Sequence, residues 1–249
     1  MIHSFLLIGQ SNMAGRGRLE EAPQINAERI KVLRNGRWQP MYRPINCDRA
    51  FSGTCLAESF AERYAEKYNV DVGLICCADG GTKLDQWVPG GLLYDNAVYQ
   101  ARLADRTSTI AGVLWHQGEG DSNPKDAPLY QQKFEHIMAS FRKDLNLYDV
   151  PFLLGALGEF LPLFDSVMGE HAIIVNNALE KIAKENPMTG FVSAEGLGAN
   201  PDNLHFNAQS LFEFGCRYFD VFETLRDPNK VFTEKSVEDD AVRTAMEAL

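Results

Sequence analysis

The sequence predicts a three-layer α/β/α sandwich built around a central five-stranded parallel sheet. Short apolar runs alternate with longer amphipathic stretches, as a succession of β-α units requires. The apolar runs do not alternate strictly between apolar and polar residues, which is the pattern of strands covered on both faces. The chain has 249 residues, 45% of them hydrophobic, and that suits one large domain with a sizeable core.

The first strand is expected over residues 5–8, an apolar run that stops at Gly9. A helix follows over 54–68, with Leu56, Phe60 and Tyr64 on one stripe and Glu58, Glu62 and Glu66 on another. The second strand covers 70–78 and the next helix 94–105. A third strand at 110–115 leads to a helix over 128–145, where Pro128 fits the first turn because its missing N–H would be unpaired there anyway. The fourth strand, 151–157, precedes a helix over 170–185. The fifth, 190–194, precedes a helix over 207–225. Residues 226–249 carry helix formers without a clear apolar stripe and read as a terminal helix or tail of the single 1–249 domain. No tandem repeat or linker interrupts the chain.

Composition narrows the function. There are 24 basic and 34 acidic residues, giving a net charge of −10. That balance excludes nucleic acid and anionic membrane as main partners, since both need clustered Lys and Arg. The pairs Arg16/Arg18 and Arg34/Arg37 are too small to alter it. No basic leader precedes the first apolar run, and nothing approaches the ~20 apolar residues of a membrane span. The five cysteines show no zinc-like spacing and read as free thiols of a cytoplasmic protein, although a secreted chain whose leader has been removed would look the same.

In a doubly wound sheet the ligand crevice lies at the carboxyl ends of the strands. Four stretches fall there: G-Q-S-N-M from Gly9, A-D-G-G-T-K-L-D-Q-W from Ala78, W-H-Q-G-E-G-D-S from Trp115 and A-N-P-D-N-L-H-F-N from Ala199. Ser11 is a turn serine or a nucleophile. A nucleophile needs a base, a group that orients the base, and donors for an oxyanion. Of the five histidines, His3, His136 and His171 read as structural or solvated. His205 is the better base by position, with Asp202 three residues earlier as its acid, and His116 is second. Gly80 or Gly81, the Gln117 amide and the Ser11 N–H are candidate oxyanion donors.

These blocks, in this order, resemble the SGNH hydrolase superfamily, and within it the carbohydrate esterases that include acetylxylan esterases and sialate O-acetylesterases. The resemblance rests on G-Q-S-N-M-A-G at 9–15, G-G-T at 80–82 with Trp87, W-H-Q-G-E at 115–119 and D-N-L-H-F-N at 202–207. It implies a flavodoxin-like topology, Ser11 as nucleophile and His205 as general base. Asp202 would be the orienting acid, with Glu119 as its rival. Gly80 or Gly81, Gln117 and the Ser11 amide would form the oxyanion hole, Gln117 standing where the superfamily's name-giving asparagine stands. The implied chemistry is acyl transfer from a small-molecule or oligosaccharide ester, needing no metal or cofactor. The preferred substrate would be an acetylated saccharide of the acetylxylan type, with a sialate O-acetylesterase or an inactive carbohydrate-binding relative as alternatives.

Two departures stand out: Thr54 replaces an expected proline, and Gly120 is inserted after Glu119. The G-x-S-x-G elbow of α/β-hydrolases is absent, because position 13 is Met. Trp87, Trp115 and Phe206 are candidates to stack on a sugar, with Trp115 at a strand end reading as core. Asp85, Arg16 and Arg49 are candidate polar contacts.

Overall fold

A computed structural model of the chain describes residues 1–230 together with 232 and 235. The strand β1 (Ile2–Gly9) is buried along its whole length and leads into a one-turn helix α1 (Ser11–Ala14). A hairpin follows, β2 (Ile30–Arg34) and β3 (Arg37–Pro40), then α2 (Ala57–Tyr68), β4 (Asp71–Cys76) and α3 (Leu92–Ala104). Next come β5 (Thr109–His116), α4 (Tyr130–Leu145), β6 (Phe152–Gly155), α5 (Leu161–Phe164), α6 (Ser166–Glu185), β7 (Thr189–Val192) and α7 (Ala208–Leu225).

The sheet holds seven strands in the order β3-β2-β4-β1-β5-β6-β7, so the expected count of five is corrected by the hairpin. β2 joins β4 in parallel and β3 closes that edge in antiparallel. The hairpin turns at Asn35-Gly36, with φ of 52° and 74°, the positive values a two-residue type I′ turn demands. Without the hairpin the order becomes β4-β1-β5-β6-β7, the flavodoxin-like arrangement. Its switch point lies between β1 and β5, where successive connections leave in opposite directions and open a crevice.

The helices start where local chemistry allows. α2 begins at Ala57 rather than at 54, because Thr54 is held extended in a bridge to Gly17. Residues 127–129 form a tight 3-10 turn before α4, with Pro128 inside it. α7 is capped by Asn207, whose side chain accepts the Ser210 N–H at 2.8 Å. α2 and α4 end on Asn69 and Asn146 in the left-handed region, a common helix stop.

Between sheet and helices lies an aromatic core. Phe5 of β1 meets Phe60 and Tyr64 of α2 and Phe222 of α7 edge-on, with centroids 4.8–5.8 Å apart. Burying each such ring contributes about 1.5–3 kcal/mol, and the edge-to-face geometry adds roughly 0.5–1.5 kcal/mol per pair. This packing fixes β1, and β1 aims the residues after Gly9 into the crevice. No helix among the described residues is long and apolar enough to cross a membrane. The expected terminal helix or tail over 226–249 falls mostly outside the described residues.

Candidate active site

The end of β1 has no room for a side chain. At Gly9, φ is +131° and a Cβ would stand 2.1 Å from the His116 carbonyl oxygen. Glycine there lets β1 and β5 stay paired to their last residues, and the chain then turns sharply into α1 with Ser11 at its start. Ser11 opens onto a cleft of about 410 Å³ at the carboxyl edge of the sheet. Gly80 and Gly81 after β4, Glu119 and Gly120 after β5, and His205 also line it.

His205 reaches this place from β7 through a long loop. That loop is pinned by a bridge between Ala199 and Phe206 and by Asn200, whose amide donates to the Arg16 and Phe206 carbonyls at 2.8 and 3.3 Å. His205 Nε2 stands 3.0 Å from Ser11 Oγ, and its Nδ1 stands 2.8 Å from Asp202 Oδ2. The other oxygen of Asp202 accepts the Leu204 and His205 N–H groups at 2.9 and 3.0 Å. Burial alone would raise the Asp202 pKa, but the hydrogen bonds from His205 and from these amides outweigh it and hold the carboxyl below its ordinary value. The acid is therefore ionised and fixes the imidazole with its Nε2 lone pair toward the serine.

His116, the second histidine, lies elsewhere. It is fully buried, and its Nε2 donates to the Ala156 carbonyl at 3.1 Å. Burial lowers its pKa, so the ring is neutral. Glu119 is buried too. Its Oε1 accepts the Asn12 amide at 2.6 Å, and the histidine near it is His116, at 3.9 Å. Glu119 thus stands apart from the pairing with His205 that the sequence left open to it.

The candidate oxyanion donors divide in the same way. The Gly80 N–H donates to Asp48 Oδ2 at 2.9 Å. The Gln117 side chain is completely buried, and its amide donates to the Thr82 carbonyl at 3.1 Å and to Asp121 Oδ2 at 2.6 Å. Both of its N–H bonds are engaged, which corrects the expectation that Gln117 points a donor at the ester. Gln117 instead ties the G-G-T loop to the end of β5. The Ser11 and Gly81 N–H groups find no acceptor among the described residues, and both residues line the cleft.

A model of the carbohydrate esterase family described as sialic acid-specific acetylesterase matches residues 1–224. The chain belongs to this family. As a member of the acetylesterase family it is a carboxylic ester hydrolase with an SGNH hydrolase fold. A probable carbohydrate esterase from Arabidopsis thaliana is 27% identical over 237 residues, covering 85% of this chain and 86% of the relative. The crystal structure of that Arabidopsis protein superposes with a TM-score of 0.79 at 26% identity, over 89% of this chain and 98% of the other. NanS has the same fold, with a TM-score of 0.70 at 18% identity over 90% of this chain and 97% of its own. So does a carbohydrate acetylesterase from Xanthomonas citri, with a TM-score of 0.68 at 18% identity over 90% of this chain and 56% of the other.

In this acetylesterase the three aromatic residues expected near the crevice, Trp87, Trp115 and Phe206, are all fully buried core. The rings at the cleft are Phe51, 71% exposed, and Phe164, 48% exposed. Neither falls in the four stretches singled out at the strand ends, so those motifs gave no signal for them. Arg16 is buried in a two-pronged pair with Asp48, at 2.6 and 3.1 Å. Arg49 pairs with Asp79 at 3.0 Å and donates to the Asp48 and Gly80 carbonyls at 2.7 and 2.9 Å. Asp85 lies on the surface, paired with Lys133 at 2.7 Å.

Proposed function

We propose that this enzyme removes O-acetyl groups from uncharged saccharides through an acyl-enzyme on Ser11. The observation that carries the reading is the continuous chain Ser11–His205–Asp202, at 3.0 and 2.8 Å, opening on a cleft large enough for a sugar ester. In the first step Ser11 Oγ attacks the ester carbonyl while His205 Nε2 takes its proton. Asp202 steadies the imidazolium that forms, and His205 then returns the proton to the leaving alcohol. Water repeats the sequence on the acetyl-serine and releases acetate. The Ser11 and Gly81 N–H groups are the donors that remain for the oxyanion.

The charge of the cleft favours a neutral sugar over a sialate. Both guanidinium groups that line it, Arg16 and Arg49, already meet the carboxylates of Asp48 and Asp79. A carboxylated sugar would have to compete with those partners, and it would also approach Glu119 and Asp202. The exposed Phe51 and Phe164 offer flat apolar faces for a sugar ring.

Turnover of 4-nitrophenyl acetate by wild type, Ser11→Ala, Asp202→Ala and Glu119→Ala tests the catalytic part. Ser11→Ala is expected to fall to background, and Asp202→Ala to lose about 10³–10⁴-fold in kcat, more than Glu119→Ala. Full activity in Ser11→Ala overturns the reading, and a larger loss in Glu119→Ala moves the acid role to that residue. Acetate release is expected to be faster from acetylated xylo-oligosaccharides than from O-acetylated sialic acid. The opposite order overturns the substrate class.

A further inference from the structure

The Asn12 side chain joins the two halves of the site. The residue follows Ser11 directly, so its backbone moves with the nucleophile. Its Oδ1 accepts the Phe206 N–H at 3.1 Å, and its Nδ2 faces the Leu204 carbonyl at 3.5 Å. Those two groups flank His205 on either side. One side chain beside the serine therefore holds the backbone before and after the histidine.

The amide can do this in one orientation only. An N–H donor at Phe206 demands the amide oxygen, and a carbonyl at Leu204 demands the amide nitrogen. Glu119 selects that orientation, because its Oε1 accepts the second hydrogen of Nδ2 at 2.6 Å. A carboxylate accepts and does not donate, so the flipped amide would set oxygen against oxygen. Glu119 is itself 3% exposed, and its Oε2 has no hydrogen-bond partner. A buried carboxylate with so few donors destabilises the fold by itself. Hydrogen bonds to a charged group are shorter and stronger than neutral ones, and this one fixes the amide firmly.

We infer that Asn12 and Glu119 form a positioning clamp that sets the His205 ring against Ser11, with Glu119 acting on the histidine through Asn12. The inference rests on the Ser11–His205 reading above. It gives Glu119 a part in catalysis other than the acid role for which it rivals Asp202. A clamp of this kind contributes alignment, so its loss lowers kcat more than it changes KM.

The test compares the steady-state kinetics of Asn12→Ala, Glu119→Ala and Glu119→Gln on 4-nitrophenyl acetate, with thermal unfolding as a check on folding. Asn12→Ala is expected to lose about 10²-fold in kcat with KM little changed. Glu119→Gln keeps an acceptor oxygen for Asn12 and is expected to recover most of what Glu119→Ala loses. A folded Asn12→Ala enzyme with the wild-type kcat overturns the clamp. So does a Glu119→Gln enzyme as impaired as Glu119→Ala, a comparison that stands even if Asn12→Ala does not fold. If wild type turns over and Ser11→Ala does so equally well, the underlying reading fails. If Ser11 is essential and Asn12→Ala is unimpaired, the clamp alone fails.

Discussion

At the residue scale, protonation separates the histidines. His205 lines the cleft beside Ser11, whereas His3 and His116 are buried and burial lowers the pKa of both rings. His3 Nδ1 meets the Tyr64 hydroxyl at 2.7 Å, and burial, helped by the positive charge of Arg226, lowers its pKa to about 4. The unfolded chain binds that proton near the ordinary value of 6.5, so between pH 6.5 and 4 the unfolded state holds more protons than the folded one. Stability from this group is complete above pH 6.5 and is lost as the pH falls toward 4, by roughly 3 kcal/mol in all. The lowered pKa of His116 acts with the same sign. Urea unfolding at pH 7 and pH 4.5 should show a smaller acid-induced drop in His3→Gln than in wild type, and equal drops would contradict this assignment.

What the sequence revealed at this scale depended on the kind of question. That Ser11, His205 and Asp202 come together was legible because residue type and place near a strand end marked each as a candidate. Gln117 and Gly80 were read as oxyanion donors because residue type shows that a donor exists. It does not show that Asp121, Thr82 and Asp48 already accept from them. The choice between Asp202 and Glu119 was open for a related reason. Both stand in loops facing one crevice, and only the folded chain shows which carboxylate His205 meets.

At the scale of elements, all five parallel strands expected from the apolar runs are present, and the helices differ from expectation at their ends. Thr54 is a clear case: residues 54–56 continue an amphipathic pattern, but the bridge to Gly17 keeps Thr54 out of the helix. The β2–β3 hairpin was the larger miss. Its Asn-Gly turn is a strong local signal, but its flanks, I-K-V-L-R and R-W-Q-P, are short, charged and only half-buried. They form because Ile30 and Val32 can dock on β4, a tertiary gain that no local pattern displays. The turn makes its own prediction. A Cβ at Gly36 would lie 3.4 Å from Leu103, an acceptable contact, so the cost of Gly36→Ala is the positive φ itself. We expect a loss of about 1 kcal/mol, or 2–4 °C in Tm, for a protein of this size. An unchanged Tm in a calorimetric scan would remove the type I′ turn as a constraint on register.

At the scale of the whole molecule, the sheet order and the chemistry are linked. The switch point between β1 and β5 opens the crevice, β1 delivers Ser11 to it, and the loop after β7 carries His205 and Asp202 back across the sheet edge. The net charge of −10 fits a cleft whose two guanidinium groups are already paired. The central claim is that this arrangement makes Ser11 a nucleophile. The most direct measurement is treatment of the intact protein with a fluorophosphonate, followed by mass spectrometry of the peptides to locate the adduct. The account predicts one adduct per chain, on Ser11, forming far more slowly in His205→Ala. An adduct on another residue, or equal labelling of Ser11 with and without His205, would contradict it.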